Sequence, residues 1–221
     1  MKILVLAPHP DDEVLGCGGT IAKHVRRGDE VHLCIFTQAY APDWSEDFLK
    51  KRPREIKNAS KILGVKRIYS LNFPAVKLDT VPQKELNEAI LRVVKRVRPN
   101  IAYIPHKGDI NKDHRMVCEA ALVALRPKPR TSVKKVLFYE TLSETEWGIP
   151  EPKEVFLPNV YVNISDTLRI KLKAMMAYKS ELKSYPHPRS LKGIRALATK
   201  RGSEVGVKAA EAFMLVREIL A

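Results

Sequence analysis

Apolar runs of strand length alternate with stretches of helical period through the first two-thirds of the chain, and this alternation limits the fold more than any other feature. Lys2–Ala7, Glu30–Thr37, Arg67–Leu71, Asn100–Pro105 and Val133–Glu140 read as strands. Val14–Arg27, Asp47–Leu63, Pro82–Val97 and His114–Leu125 carry helical spacing, with Gly28, Gly64, Pro99 and Pro127 marking their ends. Such alternation predicts right-handed βαβ units, hence a Rossmann-like, doubly wound α/β fold with a mostly parallel sheet and helices on both faces. After Glu140 the pattern lapses. Phe156–Ile164 reads as a further strand, and Asp166–Ser180 and Glu204–Leu220 as helices, with the proline-rich Tyr185-Pro186-His187-Pro188-Arg189-Ser190 between them. The expectation is one unit over residues 1–221, a core of 1–140 with a C-terminal α/β elaboration of 141–221 packed on it.

A chain of 221 residues can bury a full core without disulfides or structural metal. Its three cysteines, Cys17, Cys34 and Cys118, form no CxxC pair, which argues against a zinc ribbon and for a reduced, cytoplasmic setting. The apolar start of the chain runs at once into His9-Pro10-Asp11-Asp12-Glu13, too short for a signal segment, and no stretch approaches a membrane span. The formal charge of +14 raises the question of nucleic acid. Lys and Arg are spread along the chain and interleaved with Glu, without aromatic–basic pattern or finger spacing, so no dedicated nucleic-acid binding is expected. A solvated, heat-adapted surface or attraction for an anionic substrate accounts for the charge.

Two polar clusters carry the chemistry. His9-Pro10-Asp11-Asp12-Glu13 follows the first strand, and His106-Lys107-Gly108-Asp109-Ile110-Asn111-Lys112-Asp113-His114 follows the fourth. In an open parallel sheet ligands bind beyond the carboxyl ends of the strands, near the switch point, so both clusters belong to the functional edge. Gly16-Cys17-Gly18-Gly19 suggests a dinucleotide loop, but the third glycine of that fingerprint would fall on Ile21. Asp11, Asp12 and Glu13 would also repel a pyrophosphate, and acidic side chains there favour a cation. Histidine and aspartate three residues apart can share one ion, and a third ligand from the fourth loop would leave the open position of a catalytic site. The plain alternative is that these side chains only cap the following helices.

With these motifs the sequence resembles the PIG-L/LmbE-like family of zinc N-deacetylases. The resemblance extends to Arg52-Pro53-Arg54-Glu55, to Pro186-His187-Pro188-Arg189-Ser190 and to Ala210-Glu211-Ala212-Phe213. It implies His9, Asp12 and His114 as Zn2+ ligands, Asp11 as general base and Arg52, or else Arg54, as a substrate contact. Of Asp113 and Asp109, one would orient a metal-bound imidazole, with ordinary loop capping the alternative for either. Many members carry a histidine where this chain has Asn111, which can donate a hydrogen bond but no proton. The acid would then come from His187 or His106; His187 is the expected catalytic residue, with His106 and Asn111 as substrate contacts. His24 and His32 are expected to be structural, and Trp44 and Tyr40 could stack on a sugar or merely anchor their loop.

The implied reaction removes an acetyl group from an N-acetylated amino sugar or its conjugate, of N-acetylglucosamine type. Alternatives are an amidase for another small amide or thiol conjugate, and a non-catalytic metal-dependent binding protein. The ligand set would also accept iron, cobalt or nickel. The family implies a small-molecule substrate and a homo-oligomer, with the His187 loop at a subunit contact.

Overall fold

The computed structural model describes residues 1–128 and 133–220. Strands β1 (Lys2–Ala7), β2 (Glu30–Gln38), β3 (Arg67–Pro74) and β4 (Ile101–Pro105) alternate with helices α1 (Asp12–Arg26), α2 (Glu46–Leu63), α3 (Gln83–Val97) and α4 (Lys112–Ala124). Then come β5 (Lys135–Tyr139), β6 (Val160–Asn163), α5 (Leu168–Met175), α6 (Leu191–Ser203) and β7 (Ala210–Glu218). The seven strands form one sheet in the order β3-β2-β1-β4-β5-β7-β6. β1 to β5 are parallel, whereas β7 runs antiparallel to both of its neighbours.

Residues 3–7 of β1 are wholly buried because both faces of the sheet are covered. Ile3, Val5 and Ala7 pack with α1 and α5 on one side, and Leu4 and Leu6 with α3 and α4 on the other. From β1 the chain winds outward through β2 to β3 and then returns to the other side as β4. The turns after β1 and β4 therefore lie side by side at the switch point, where side chains meet without competition from a helix.

The C-terminal part departs from expectation. Glu204–Leu220 is not a helix; its main part is β7, and the helix lies earlier, at Leu191–Ser203, capped by Ser190 accepting from Gly193 N–H at 3.0 Å. Ala, Glu, Met and Leu favour helix intrinsically, but that preference is weak beside tertiary pairing. Two strand edges claim the segment: Tyr139↔Phe213 and Leu137↔Leu215 from β5, and Val162↔Glu211 from β6. The expected strand at Phe156–Ile164 contracts to β6, the helix at Asp166–Ser180 to α5, and the fourth helix begins at Lys112 rather than His114.

The glycines of α1 serve packing. A Cβ on Gly16 would stand 2.3 Å from the Tyr139 ring, and one on Gly19 2.8 Å from Ile164. In a regular helix the Gly19 N–H bonds the Leu15 carbonyl. Here each is engaged by a buried side chain: Gly19 N–H and Thr20 N–H donate to Glu211 at 2.9 and 2.7 Å, and Lys171 Nζ donates to Leu15 O at 2.7 Å. Lys171 and Glu211 close the arrangement at 2.6 Å, tying α5 and β7 to α1. Among the described residues no helix is long and apolar enough to cross a membrane.

Removing one partner of a buried pair strands the other charge, so Lys171→Met should cost about 3–5 kcal/mol. Adding Glu211→Gln, which needs no cation, should recover part of that loss. Chemical denaturation measures both, and a Lys171→Met loss below about 1 kcal/mol would contradict the assigned role.

Candidate metal and active site

The turn after β1 is held by its backbone. Thr37 donates to Pro8 O from its hydroxyl at 2.9 Å and its N–H at 3.1 Å, and Arg52 donates to Pro10 O. Asp11 caps α1 with φ 110° and ψ −26°, a left-handed conformation that costs a non-glycine residue on the order of 1–3 kcal/mol. Local bonds hold it there. Its N–H donates to Glu13 Oε2 at 3.0 Å, and its carbonyl accepts from Val14 and Leu15 N–H at 2.9 Å each. Glu13 is anchored in turn by the Tyr178 hydroxyl at 2.7 Å, and burial pushes its carboxyl up to about 7.

This turn and the start of α4 bring three donor atoms together. His9 Nδ1 lies 3.3 Å from His114 Nε2 and 3.4 Å from Asp12 Oδ2, which is 3.2 Å from His114 Nε2. A tetrahedral ion with nitrogen and oxygen ligands at about 2.0–2.1 Å separates them by roughly 3.3–3.4 Å. The triangle therefore fits a metal of zinc type. Each imidazole turns its other nitrogen to a carboxylate: His114 Nδ1 to Asp109 Oδ2 at 2.8 Å, and His9 Nε2 to Asp113 Oδ2 at 3.0 Å. These bonds fix the tautomer of each neutral ring and turn its other nitrogen toward the Asp12 carboxylate, so the cluster calls for positive charge there, protons or a metal cation. Burial opposes charge on both imidazoles but is outweighed. Hydrogen bonds to Asp113 and Asp12 raise His9 to about 9, and Asp12 with Asp109 holds His114 well above the usual histidine range. Asp12, against its own burial, is held well below the carboxylate range by the two histidines.

Asp113 also accepts from the N–H of Val76 and Leu78 at 2.6 and 3.1 Å, and Asp109 Oδ1 from the Thr145 hydroxyl at 2.6 Å. Both carboxylates are thus fixed before any metal arrives.

Asp11 is buried beside this cluster in a cavity of about 810 Å³, and its Oδ2 makes no hydrogen bond among the described residues. Burial and the Asp12 charge hold its carboxyl well above the ordinary range, against the pull of Arg189 and Arg52. Arg189 Nη1 stands 3.5 Å from Asp11 Oδ2, while its other nitrogens hold Glu144 at 2.7 Å and Ser143 at 2.6 Å. Arg52 lines the same wall, 4.0 Å from Asp11 Oδ1 and 3.2 Å from Glu181. Arg54 is exposed and does not line the cavity.

Asn111 caps α4 through Oδ1, which accepts from Asp113 N–H at 3.0 Å, and it lines the cavity with its amide group left to donate. His106 does not reach the cavity. It is fully buried, with Nε2 2.7 Å from the Glu154 carbonyl and its ring between Phe138 and Phe156. His187 is also outside the cavity lining: its Nδ1 accepts from Arg189 N–H at 3.1 Å and its ring meets Trp147 edge-on. Slight burial and the Arg189 and Lys183 charges lower its pKa. The residue sequence reasoning missed is Arg189, two positions on in the same loop. Its partners Glu144 and Asp11 are remote in sequence, and Glu181, eight residues before it, carries no motif, so only the loop motif itself pointed to it.

The sequence matches the family described as PIG-L: GlcNAc-PI de-N-acetylase over residues 4–125. A diacetylchitobiose deacetylase of Thermococcus kodakarensis is 29% identical over 204 residues, covering 81% of this chain and 70% of that protein. A probable N-acetyl-alpha-D-glucosaminyl L-malate deacetylase 2 of Bacillus anthracis is 25% identical over 188 residues, covering 81% and 80%. The crystal structure of a conserved protein from Thermus thermophilus superposes with a TM-score of 0.79 at 28% identity, covering 99% and 96%.

Asp109→Asn and Asp113→Asn should each weaken divalent-metal affinity about 10–100-fold. His9 of the metal-free protein keeps its proton to about pH 9 and His114 is likewise held protonated, so affinity should climb as pH rises through the neutral range toward 9. Competition titration against a chelator reads both effects; equal affinity in wild type and Asp109→Asn would argue against the site.

Proposed function

The chain belongs to the PIG-L (GlcNAc-PI de-N-acetylase) family, and we propose that it is a zinc-dependent deacetylase acting on an N-acetylated amino sugar of N-acetylglucosamine type. The observation that carries this reading is the pairing of a three-donor cation cluster with a buried carboxylate, Asp11, that lines the adjoining cavity and whose Oδ2 makes no hydrogen bond among the described residues. What the two named relatives share is an N-acetylated amino sugar joined to different partners.

His9, Asp12 and His114 would hold the metal, which when bound supplies Lewis acidity toward a carbonyl and makes water acidic enough to attack near neutral pH. Asp11 is the base: its desolvated carboxylate accepts the proton of the attacking water. Arg189 and Arg52 keep that carboxylate aimed while their other contacts anchor them to Glu144, Glu181 and Glu55. The Asn111 amide donates to the carbonyl oxygen as it gains negative charge. With His187 turned onto Trp147, protonated Asp11 is the group placed to hand its proton to the departing amine.

The three buried free cysteines support a reducing, cytoplasmic setting. Exposed Trp147, Ile149 and Tyr185 near His187 support reading that loop as a contact between subunits of a homo-oligomer.

Acetate release from N-acetylglucosamine, its short oligomers and its conjugates tests the reading. Zinc-loaded wild type should release acetate. Asp11→Asn should keep its zinc while kcat falls about 10²–10⁴-fold, and His114→Ala should lose metal and activity together. Undiminished release by Asp11→Asn would remove the base from the mechanism.

A further inference from the structure

The cavity that holds Asp11 continues past the donor cluster into a slot between α2 and the outer strands. α2 packs mainly on α1 and α5 rather than on β2 and β3 beneath it, and the space left between them is lined on both sides. Phe48, Leu49 and Ile56 line it from α2, Trp44 from the preceding loop, and Ile35 and Ile68 from β2 and β3. All but Ile35 are only half-buried, so apolar surface stays in contact with water until something fills the slot.

The deacetylase reading determines which part of a substrate could reach this far. An acetyl group is short and must sit at the donor cluster, and a single sugar ring leaves much of 810 Å³ unfilled. Sites that enclose drug-sized molecules measure about 300–1,000 Å³. The remaining space belongs to whatever the sugar carries on its glycosidic oxygen. The slot's polarity then selects among such groups. Arg52 and Arg189 already face Glu55, Glu144 and Glu181, and so make no demand for an acidic partner. Lys57 is the remaining cation of the lining, and it is exposed.

Resting on the deacetylase reading, we propose that the slot between α2 and the β2–β3 edge is a subsite for an apolar aglycone, an alkyl or aryl group attached to the N-acetylated sugar. Each methylene buried there contributes up to about fourfold in kcat/KM, and less where it stays partly wet.

The test is a ladder of methyl, butyl and hexyl glycosides of N-acetylglucosamine with the zinc-loaded protein, reading kcat/KM for acetate release. The hexyl glycoside should exceed the methyl glycoside by at least about tenfold, mainly through KM. Leu49→Gln and Ile56→Gln should compress the hexyl-to-methyl ratio toward unity. Two further arms separate the sources of any gain: carboxylate-tipped chains of equal length, and methyl glycosides bearing longer N-acyl groups. A flat ladder on a well-cleaved methyl glycoside overturns the subsite and leaves the deacetylase reading standing. A preference for the carboxylate-tipped chain overturns it in favour of Lys57, and a gain confined to longer N-acyl groups overturns the aglycone assignment. If no glycoside is cleaved, the deacetylase reading fails on its own. Calorimetric binding of the alkyl glucosaminides then decides the subsite: affinity that rises with chain length supports it, and constant affinity overturns it.

Discussion

The site depends on one electrostatic constraint: two imidazole nitrogens and a carboxylate oxygen are held 3.2–3.4 Å apart around one point. Left to themselves two imidazoles and a carboxylate would not stay so arranged, and the surroundings are built to prevent relaxation. Asp109 and Asp113 hold the far nitrogens, and Asp113 is itself held by the Val76 and Leu78 N–H groups. On the other side Asp11 is kept in a left-handed conformation by Glu13, and Glu13 by Tyr178. The cost of that backbone conformation is met by bonds that reach across the molecule from the C-terminal part.

The same turn gives Asp11 and Asp12 opposite characters although they are neighbours. Asp12 points between two imidazoles that stay protonated without metal, and its carboxyl is held down; Asp11 points into the cavity, desolvated, and its carboxyl is held up. In the proposed mechanism Asp12, as ligand, must be ionised and Asp11, as base, must be able to take a proton, and the two environments would separate these tasks within one dipeptide. Arg189 bridges Asp11 and Glu144, so the wall opposite the metal cluster limits how far the base is pushed.

Much of this was legible in the sequence because the informative residues are contiguous. Strand and helix alternate up to Tyr139, and His9-Pro10-Asp11-Asp12 and Asn111-Lys112-Asp113-His114 follow the first and fourth strands, so their place in a parallel sheet implied convergence, and the family resemblance singled out His9, Asp12 and His114 within them. What failed required knowledge of distant partners. Ala210–Glu218 has the composition of a helix, and pairing with β5 and β6 on its two sides makes it a strand. His106 and His187 stand in the right loops, but the direction of a side chain depends on what it packs against: the Glu154 carbonyl for one, Trp147 for the other. Arg189 had no local signal apart from its motif, because its carboxylate partners come from two other segments.

The Lys171–Glu211 pair beside α1 also sets how far the site depends on the C-terminal part of the chain. α1 carries Asp12, and in its middle Gly19 N–H, Thr20 N–H and the Leu15 carbonyl are engaged by Glu211 of β7 and Lys171 of α5. The seat of the helix is thereby tied to side chains far along the chain, on elements that contribute nothing to the cavity lining. A change that loosens α5 or β7 would be felt at Asp12, at a distance, as a donor atom out of place.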